Sequence, residues 1–410
     1  MTVELNGEVN EFDKVTLKLG GRSSRYYGKS IFNLKIRGKK DLYGRNQFKI
    51  RSGARDATFL RQKLACDIHN RLNLPSISTG YISLYINNEY FGFYILSDAF
   101  KPSWIEYVYN EKDTKTLYQC TRFGNYNSFK SYSSACENED ESVTDNVEFI
   151  QFLSELDQAQ NISDLEKFFD VELFLKEIAI EFLFGSYDHF LNSGNNIYLY
   201  KRVDGQWKMF LYDFDSEFGQ DIIRYGFINT DYDYLDVNAN KTSGYINGFY
   251  KVRNENEFDE DFPNYSFGEW ANAGHLIKML IYKDPAHFEE ILKDIIIKVF
   301  NPTILFPYIN EIKNLISPHI KSDKTPDSNG HYPGMYDDTV SIYSLAQWDA
   351  NCEFTTIRSK ENRKAYAIKY WILSKYRYVC RILNMKCDPT YISDNYQYPI
   401  NHDVEFKENK

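Results

Sequence analysis

A run of acidic and amide side chains in the middle of the chain forms the strongest chemical pattern. The segment YDHFLNSGNNIYLY contains Asp188 and Asn196, and the following segment WKMFLYDFDSEFG contains Asp213 and Asp215. Carboxylate and amide oxygens are ligands that Mg²⁺ or Mn²⁺ prefers, and phosphoryl transfer needs such an ion beside the phosphates. It also needs a carboxylate beside the attacking hydroxyl. The order of residues predicts Asp188 in that role, with metal ligands among Asn192, Asn195, Asn196, Asp213 and Asp215.

The spacing of the last two acids bears on whether they act together. Residues i and i+2 of a strand project on one face, so a strand running through Asp215 directs it and Asp213 at one ion while Phe214 packs inward. If the strand ends at Tyr212, the alternation of side chains no longer places Asp213 and Asp215 on one face. Taken alone, DFDSEFG is also compatible with an acidic surface turn closed by Gly219.

The elements that position these residues begin with a strand-rich region. Alternating apolar and polar residues predict strands, and a 3.6-residue period predicts a helix. The predicted order is βββαββ, at 14–20, 29–36, 47–52, 54–73 (the helix), 80–87 and 89–98.

The second half of the chain is predicted to be mostly helical. Asp188 follows a helix over 171–184 that is apolar on most faces, and the paired acids end a hairpin made of NIYLYKR and QWKMFLYDFD. Apolar periodicity predicts later helices at 287–299, 304–316 and 344–383. The chain is therefore expected to be an α+β protein.

Composition and charge exclude some classes of protein. The 48 basic and 58 acidic side chains give a net charge of −10, which lacks the basic footprint of a nucleic-acid-binding protein. No stretch approaches the roughly 18 uncharged apolar residues of a membrane-spanning helix. The start, MTVELNGEVNEFDKV, has no apolar signal core. We interpret the first Met as standing in place of a leader and expect a secreted or cell-surface protein.

The six cysteines do not have the CxxC spacing of a structural zinc site. Cys120 and Cys136 bracket an Asn/Ser-rich loop. A disulfide between them in an oxidising compartment and a pair of buried free thiols are both compatible with the sequence.

Several ordered motifs resemble the CotH kinase family of atypical secreted protein kinases. They are RSSRYYGKS, LYG, KIRS, DATFLRQKLA and YISLYINNEYFGFYIL in the first half, and DHFLNSGNNIYLY and WKMFLYDFDSEFG in the second. The resemblance implies an atypical protein-kinase-like two-lobe fold. Its β-rich N-lobe with one helix spans 1–102, a linker with an insertion spans 103–145, and a mostly helical C-lobe spans 146–410, with the catalytic segment at 185–219.

The resemblance also implies an activity and its cofactors. The chain is expected to transfer the γ-phosphate of ATP to Ser or Thr of a protein substrate of the secretory pathway or cell surface, using Mg²⁺ or Mn²⁺. Asp188 matches the family's catalytic-loop aspartate. Asn196, Asp213 and Asp215 match its metal-binding positions.

The ATP-binding positions implied by the resemblance lie in the first three strands. Lys49 matches the lysine that contacts the α- and β-phosphates, and Arg51 follows it in the same strand. Arg22, Ser24 and Arg25 lie in the first hairpin turn, where ordinary kinases have a glycine-rich loop. Because arginine can hold phosphate through two parallel hydrogen bonds, we expect this turn to replace backbone amides with side-chain donors.

The sequence also departs from ordinary kinases. It has no GxGxxG, VAIK, HRD or APE motif, and DFD stands where DFG is usual. The predicted helix at 54–73 offers Asp56 and Asp67 but no glutamate to pair with Lys49. Asn195 replaces a histidine common in the family, and His189 is expected to be structural or to face the substrate.

Two other functions stay open at this point. Some CotH-like proteins are surface adhesins, and the Tyr- and Asn-rich composition suits a binding module without catalysis. A metal-dependent phosphoesterase or nucleotidyl transferase could use the same acidic hairpin. The presence of all four residues predicted for catalysis and metal binding favours an enzyme over the binding module.

Overall fold

The structure is a computed structural model in which residues 1–21, 26–124, 128–223, 249–250, 259–271 and 274–408 are described. The predicted phosphate-binding turn with Arg22, Ser24 and Arg25 lies outside the described residues. None of the described helices combines the length and hydropathy needed to cross a bilayer.

The described strands are short and mostly antiparallel. In chain order they are β1 (Thr2–Leu5), β2 (Glu8–Glu11), β3 (Val15–Leu19), β4 (Phe32–Ile36), β5 (Gln47–Arg51), β6 (Thr79–Ile86), β7 (Glu89–Asp98), β8 (Leu117–Cys120), β9 (Cys136–Asn138), β10 (Ile197–Lys201), β11 (Trp207–Leu211), β12 (Ile357–Arg358) and β13 (Lys364–Ala365).

Helices dominate the second half of the chain, so the protein is mixed α and β, as predicted. In chain order the described α-helices are α1 (Arg61–Arg71), α2 (Pro102–Tyr109), α3 (Val147–Gln158), α4 (Ile162–Leu165), α5 (Val171–Phe184), α6 (Phe267–Trp270), α7 (His275–Ile277), α8 (Pro285–Lys298), α9 (Pro302–Asp323), α10 (Leu345–Cys352), α11 (Ile368–Ile382) and α12 (Pro389–Ile392).

A five-stranded sheet in the order β3-β4-β5-β7-β6 carries the first predicted site residues. The predicted βββαββ order is confirmed, with α1 between β5 and β6. The helix begins at Arg61 rather than at residue 54. The carboxylate of Asp56 accepts hydrogen bonds from the backbone N–H groups of Thr58 (2.9 Å) and Arg61 (3.0 Å), which keeps the preceding residues in a loop.

A second, four-stranded sheet has the order β11-β10-β8-β9. Two of its strands, β8 and β9, come from residues 103–145. The same segment forms most of α2, a helix that the sequence analysis did not predict. A disulfide joins Cys120 of β8 to Cys136 of β9. A second disulfide, Cys380–Cys387, was not predicted.

The predicted helical stretch at 344–383 is interrupted. Helices α10 and α11 are separated by the short β12–β13 hairpin, in which Ile357 pairs with Ala365. Both of these side chains are buried, so the apolar residues that suggested one long helix pack into the core from a hairpin. This prediction was wrong because short buried strands and helices share the same apolar signal.

Helix α5 places the segment that contains Asp188. It spans the predicted residues and is buried on most faces. It ends at Gly185, whose φ of +67° is left-handed, and a Cβ at this position would overlap the indole ring of Trp371 in α11. Trp371 Nε1 also donates a hydrogen bond to Leu183 O at 2.9 Å. The end of α5 is therefore fixed against α11.

Candidate functional site

A polar cleft of about 470 Å³ lies where β4 and β5 of the first sheet face the second sheet and the segment after α5. This volume lies within the range of small-molecule sites. Every predicted site residue that the structure describes lines the cleft: Lys49, Arg51, Asp188, Asn196, Asp213 and Asp215.

Asp188 is held by three side-chain donors from the turn that follows it. Its Oδ1 accepts hydrogen bonds from Ser193 Oγ (2.8 Å) and Asn195 Nδ2 (2.7 Å). Its Oδ2 accepts one from Asn196 Nδ2 (3.1 Å). Asn195, which departs from the family pattern, therefore helps to orient the carboxylate.

Asn196 lines the cleft and uses the nitrogen of its side-chain amide to hold Asp188. Its backbone is left-handed, with φ of +58°, and its carbonyl accepts a hydrogen bond from Tyr212 N at 3.1 Å, just beyond β11. Its Nδ2 is used by Asp188, while its Oδ1 accepts no hydrogen bond from the residues that the structure describes. This oxygen is available as a ligand.

The paired acids come together through a turn rather than a strand. Strand β11 ends at Leu211, Asp213 has a left-handed φ of +71°, and residues 214–216 form a 3₁₀ turn. The strand alternation expected for Asp213 and Asp215 was therefore wrong. Both carboxylates nevertheless lie beside Arg51, whose Nη1 is 2.6 Å from Asp213 Oδ1 and 3.5 Å from Asp215 Oδ2.

Arg55 is a cleft residue that the sequence analysis missed. Its Nη1 lies 3.6 Å from Asp215 Oδ1 and its Nε lies 3.5 Å from Asp221 Oδ2, while its Nη2 donates to Tyr187 Oη at 2.7 Å. The only available signal was a basic residue four positions after Arg51, and this does not distinguish it from other arginines. Two guanidinium groups thus border the paired acids.

The two acids ionise differently because their neighbours differ. Burial opposes ionisation of Asp213, but the charge and hydrogen bond of Arg51 outweigh it and hold the pKa below its ordinary value. For Asp215, burial and the nearby Asp213 charge raise the pKa to about 6. The two arginines therefore do not fully stabilise the negative charges of Asp213 and Asp215. A further cation between the two carboxylates would favour the ionised form of both.

Lys49 is close to this charged group. Its Nζ lies 4.6 Å from the centre of the Tyr212 ring. Burial, followed by repulsion from Arg51, lowers its pKa to about 8, although Asp213 opposes this effect. Its ammonium is therefore placed where an added anion would stabilise it.

Neither aspartate considered as a partner for Lys49 pairs with it. The Asp56 carboxylate pairs with Arg61, and the Asp67 carboxylate pairs with Lys63 at 2.6 Å. Helix α1 instead contacts the site through another side chain.

Gln62 of α1 contacts the turn that carries the two acids, and two histidines pack against the same turn. The amide oxygen of Gln62 accepts a hydrogen bond from Phe214 N at 2.9 Å. The Phe214 ring lies between the imidazoles of His69 in α1 (5.1 Å between centres) and His189 (5.5 Å). The turn that carries the two acids is therefore packed against α1 on one side and against the segment after α5 on the other.

His189 is a structural residue, one of the two roles considered for it. It is fully buried, and its Nε2 donates to Tyr212 O at 2.8 Å. Burial lowers its pKa, but Glu217 and Glu181 outweigh this effect and raise the pKa to about 10. A buried imidazole locked in this way cannot reach a substrate.

The available ligands fit a hard divalent ion that retains open positions. Among the described residues, no three or more His, Cys, Asp or Glu side chains form a group that could hold a metal ion. The candidate metal ligands in the cleft are instead two carboxylates, those of Asp213 and Asp215, and the amide oxygen of Asn196. Mg²⁺ is commonly held by one or two carboxylates and takes its other ligands from water and phosphate, so this oxygen-only set suits it.

The fold and the cleft together define a mixed α+β protein with a charged pocket of carboxylates, arginines and a lysine. Residues 17–378 match the family described as CotH kinase protein. The chain belongs to this family.

Curated relatives from the fungus Rhizopus delemar match at low identity. Invasin CotH2 is 27% identical over 338 residues, which cover 77% of this chain and 52% of the relative. Spore coat protein homolog 1 is 25% identical over 294 residues, 68% of this chain and 43% of the relative. Invasin CotH3 is 24% identical over 339 residues, 77% and 51% respectively. The chain spans about half the length of the curated relatives it matches.

Proposed function

We propose that this protein is an atypical protein kinase that transfers the γ-phosphate of ATP to Ser or Thr of a protein substrate. The observation that carries the proposal is the convergence of an oriented carboxylate, an oxygen ligand set and three cationic side chains on one cleft. Phosphoryl transfer relies mainly on positioning and electrostatic stabilisation, which these groups can supply. We further propose a kinase-like two-lobe fold, with an N-lobe at 1–102, a linker with an insertion at 103–145 and a C-lobe at 146–410.

Asp188 is the proposed catalytic residue. Ser193, Asn195 and Asn196 hold its carboxylate in one orientation, so it can accept the proton of an acceptor hydroxyl or align that hydroxyl. Such fixed geometry supports in-line attack without reorganisation of the base.

The remaining cleft residues are assigned to the phosphates and the cation. Bound Mg²⁺ or Mn²⁺ supplies charge neutralisation at the phosphates, and Asn196, Asp213 and Asp215 would hold it. Lys49, with its lowered pKa, provides a desolvated positive charge that an anion would stabilise.

Arg51 and Arg55 are proposed as phosphate-binding side chains beside the paired acids. Guanidinium groups can bind phosphate through two parallel hydrogen bonds. Both groups line the cleft and are partly exposed, at 14% and 21% of the side chain, so a ligand in the cleft can reach them.

We propose that the protein acts outside the cell or at its surface, on a substrate of the secretory pathway or cell surface. Two disulfides among the described residues suit an oxidising compartment. The relatives' names, invasin and spore coat protein homolog, point to surface-associated proteins.

Intact-mass analysis of a Ser/Thr peptide library incubated with the protein, ATP and Mn²⁺ tests this function. A single phosphoryl gain that is absent with Asp188→Asn supports a kinase. Addition of AMP would indicate a nucleotidyl transferase, and loss of phosphate from phosphorylated peptides would indicate a phosphoesterase. If no phosphoryl or AMP group is transferred and the protein binds peptides equally well without ATP, the adhesin alternative is favoured.

A further inference from the structure

A second, smaller cavity of about 30 Å³ lies on the other side of the loop that follows β5. It shares no lining residue with the large cleft, although consecutive residues of this loop, Ala54 and Arg55, line one cavity each. Three lysines from distant parts of the chain line the small cavity: Lys29, Lys324 and Lys360. This basic cavity has no role in the phosphoryl transfer proposed above.

One of the three lysines is already neutralised. Lys29 Nζ is buried 2.5 Å from Asp323 Oδ1 and also donates to Phe93 O at 3.2 Å. The same Asp323 oxygen accepts a hydrogen bond from Phe93 N at 2.8 Å. Asp323, which also lines the cavity, therefore pairs through this oxygen with Lys29 and the backbone of β7.

The other two lysines have no carboxylate partner among the described residues. Lys324 Nζ donates to the carbonyl of Tyr343 at 2.6 Å, which is a neutral acceptor. Lys360 Nζ lies 5.4 Å from the Tyr343 ring centre and 5.8 Å from the Tyr27 ring centre, and makes no hydrogen bond or ion pair within the described part of the chain. The nearest acidic neighbour in sequence, Glu361, bonds to Tyr27 Oη at 2.5 Å.

Burial and neighbouring lysines make the charged forms of Lys324 and Lys360 less favourable than in water. Burial, followed by repulsion from Lys324 and Lys29, lowers the pKa of Lys360 to about 8. Burial also lowers the pKa of Lys324 to about 8, although Asp323 opposes the effect. An anion placed between the two ammonium groups would relieve both effects.

We propose that the basic cavity binds a phosphate group. A phosphate monoester carries about −1.5 to −2 charges near neutral pH, which matches two uncompensated ammonium groups, whereas a single carboxylate would leave one of them unpaired. Lysine binds phosphate as a point charge. At about 30 Å³, the cavity is far smaller than a nucleotide-binding site.

The position of the basic cavity connects it to the large cleft. Tyr343, which contacts both unpaired lysines, donates its hydroxyl to Arg55 O at 3.3 Å. The Arg55 guanidinium lies 3.6 Å from Asp215. A phosphorylated segment held here would lie beside the cleft, so we assign the phosphate to a protein substrate that already carries one. This assignment rests on the proposed kinase function, while phosphate binding itself does not.

Calorimetric titration of the full chain, saturated with Mg²⁺ and a non-hydrolysable ATP analogue, tests the proposal. The ligands are inorganic phosphate, a phosphoserine peptide and the same peptide without phosphate. Because each lysine forms a charge-assisted contact, Lys360→Gln is expected to weaken phosphate binding by about tenfold to a hundredfold. Lys321→Gln, which changes an exposed lysine of α9 outside the cavity, should leave it unchanged.

Lys324→Gln provides a second variant, and a thermal melt of each variant verifies that it is folded. Tighter binding of the phosphoserine peptide than of inorganic phosphate supports a protein-borne ligand, while equal binding supports free phosphate at the same site. The proposal is overturned if neither phosphate ligand binds, or if folded Lys360→Gln and Lys324→Gln bind as the wild type does. Transfer is not measured, so failure of the kinase proposal would leave this result intact.

Discussion

Arg51 Nη1 lies 2.6 Å from Asp213 Oδ1, so a side chain predicted to bind ATP contacts a side chain predicted to bind metal. The same Nη1 is 3.5 Å from Asp215 Oδ2. One guanidinium therefore balances charge that a divalent ion would otherwise neutralise. Removal of an acid should then affect cation and nucleotide binding together.

Asp213→Ala is expected to abolish metal-dependent ATP binding, because the cation loses an anionic ligand and Arg51 loses its closest partner. Titration with ATP in the presence and absence of Mg²⁺ measures the effect. Asp204→Ala removes an aspartate that is 47% exposed in the β10–β11 turn and serves as a matched control. If Asp213→Ala binds ATP in the presence of Mg²⁺ as tightly as the wild type does, Asp213 is not a metal ligand.

Asp188→Asn is expected to leave nucleotide affinity near that of the wild type while phosphoryl transfer falls by about a hundredfold or more, as for a base or orienting group. Calorimetry and initial transfer rates separate the two effects. Ser193→Ala removes one of three donors to Asp188 and should reduce the rate far less. If Asp188→Asn transfers phosphate at the wild-type rate, Asp188 is structural.

The ion pair of His189 predicts a pH-dependent contribution to stability. Its pKa rises from 6.5 to about 10 on folding, so its stabilisation is complete below pH 6.5 and is lost as pH rises through 10. The difference in melting temperature between the wild type and His189→Gln should therefore shrink over this range. A difference that stays constant with pH would show that the imidazole is not charged in the folded state.

The Cys120–Cys136 disulfide is expected to stabilise the sheet next to the cleft. Its cysteines are separated by 16 positions, and a loop of this length corresponds to about 3 kcal/mol in the chain-entropy account. Urea unfolding of the Cys120→Ser/Cys136→Ser double variant measures the loss. Because β8 pairs with β10, whose first residue follows Asn196, nucleotide affinity should also fall.

The Cys380→Ser/Cys387→Ser double variant is the control for this experiment. It removes a bridge of shorter separation, 7 positions, that joins Cys380 within α11 to Cys387 after it, and neither cysteine belongs to the cleft sheet. Its unfolding free energy should fall by less, about 2 kcal/mol, and its nucleotide affinity should not change. Equal loss of nucleotide affinity in both variants would contradict a specific role for the first bridge.

Local pattern predicted the elements better than the contacts between them. Helix α5 and the β10–β11 hairpin have strong apolar periods and agree with the structure. The turn after Leu211 was considered only as an alternative, because the pattern of residues does not distinguish a strand that runs through Asp215 from one that ends before Asp213. Arg55 was missed for a related reason, since its importance depends on Asp215, which is brought near only by tertiary packing.

The packing of Trp371 against Gly185 has a consequence for biosynthesis. Because the indole that supports the end of α5 belongs to α11, a nascent chain emerging from the ribosome presents the segment with Asp188 well before its support has been made. Contacts between such distant positions form slowly, and buried aromatic surface stays open to aggregation in the interval. Efficient production should therefore depend on chaperones that shield the first half of the chain until α11 has been synthesised.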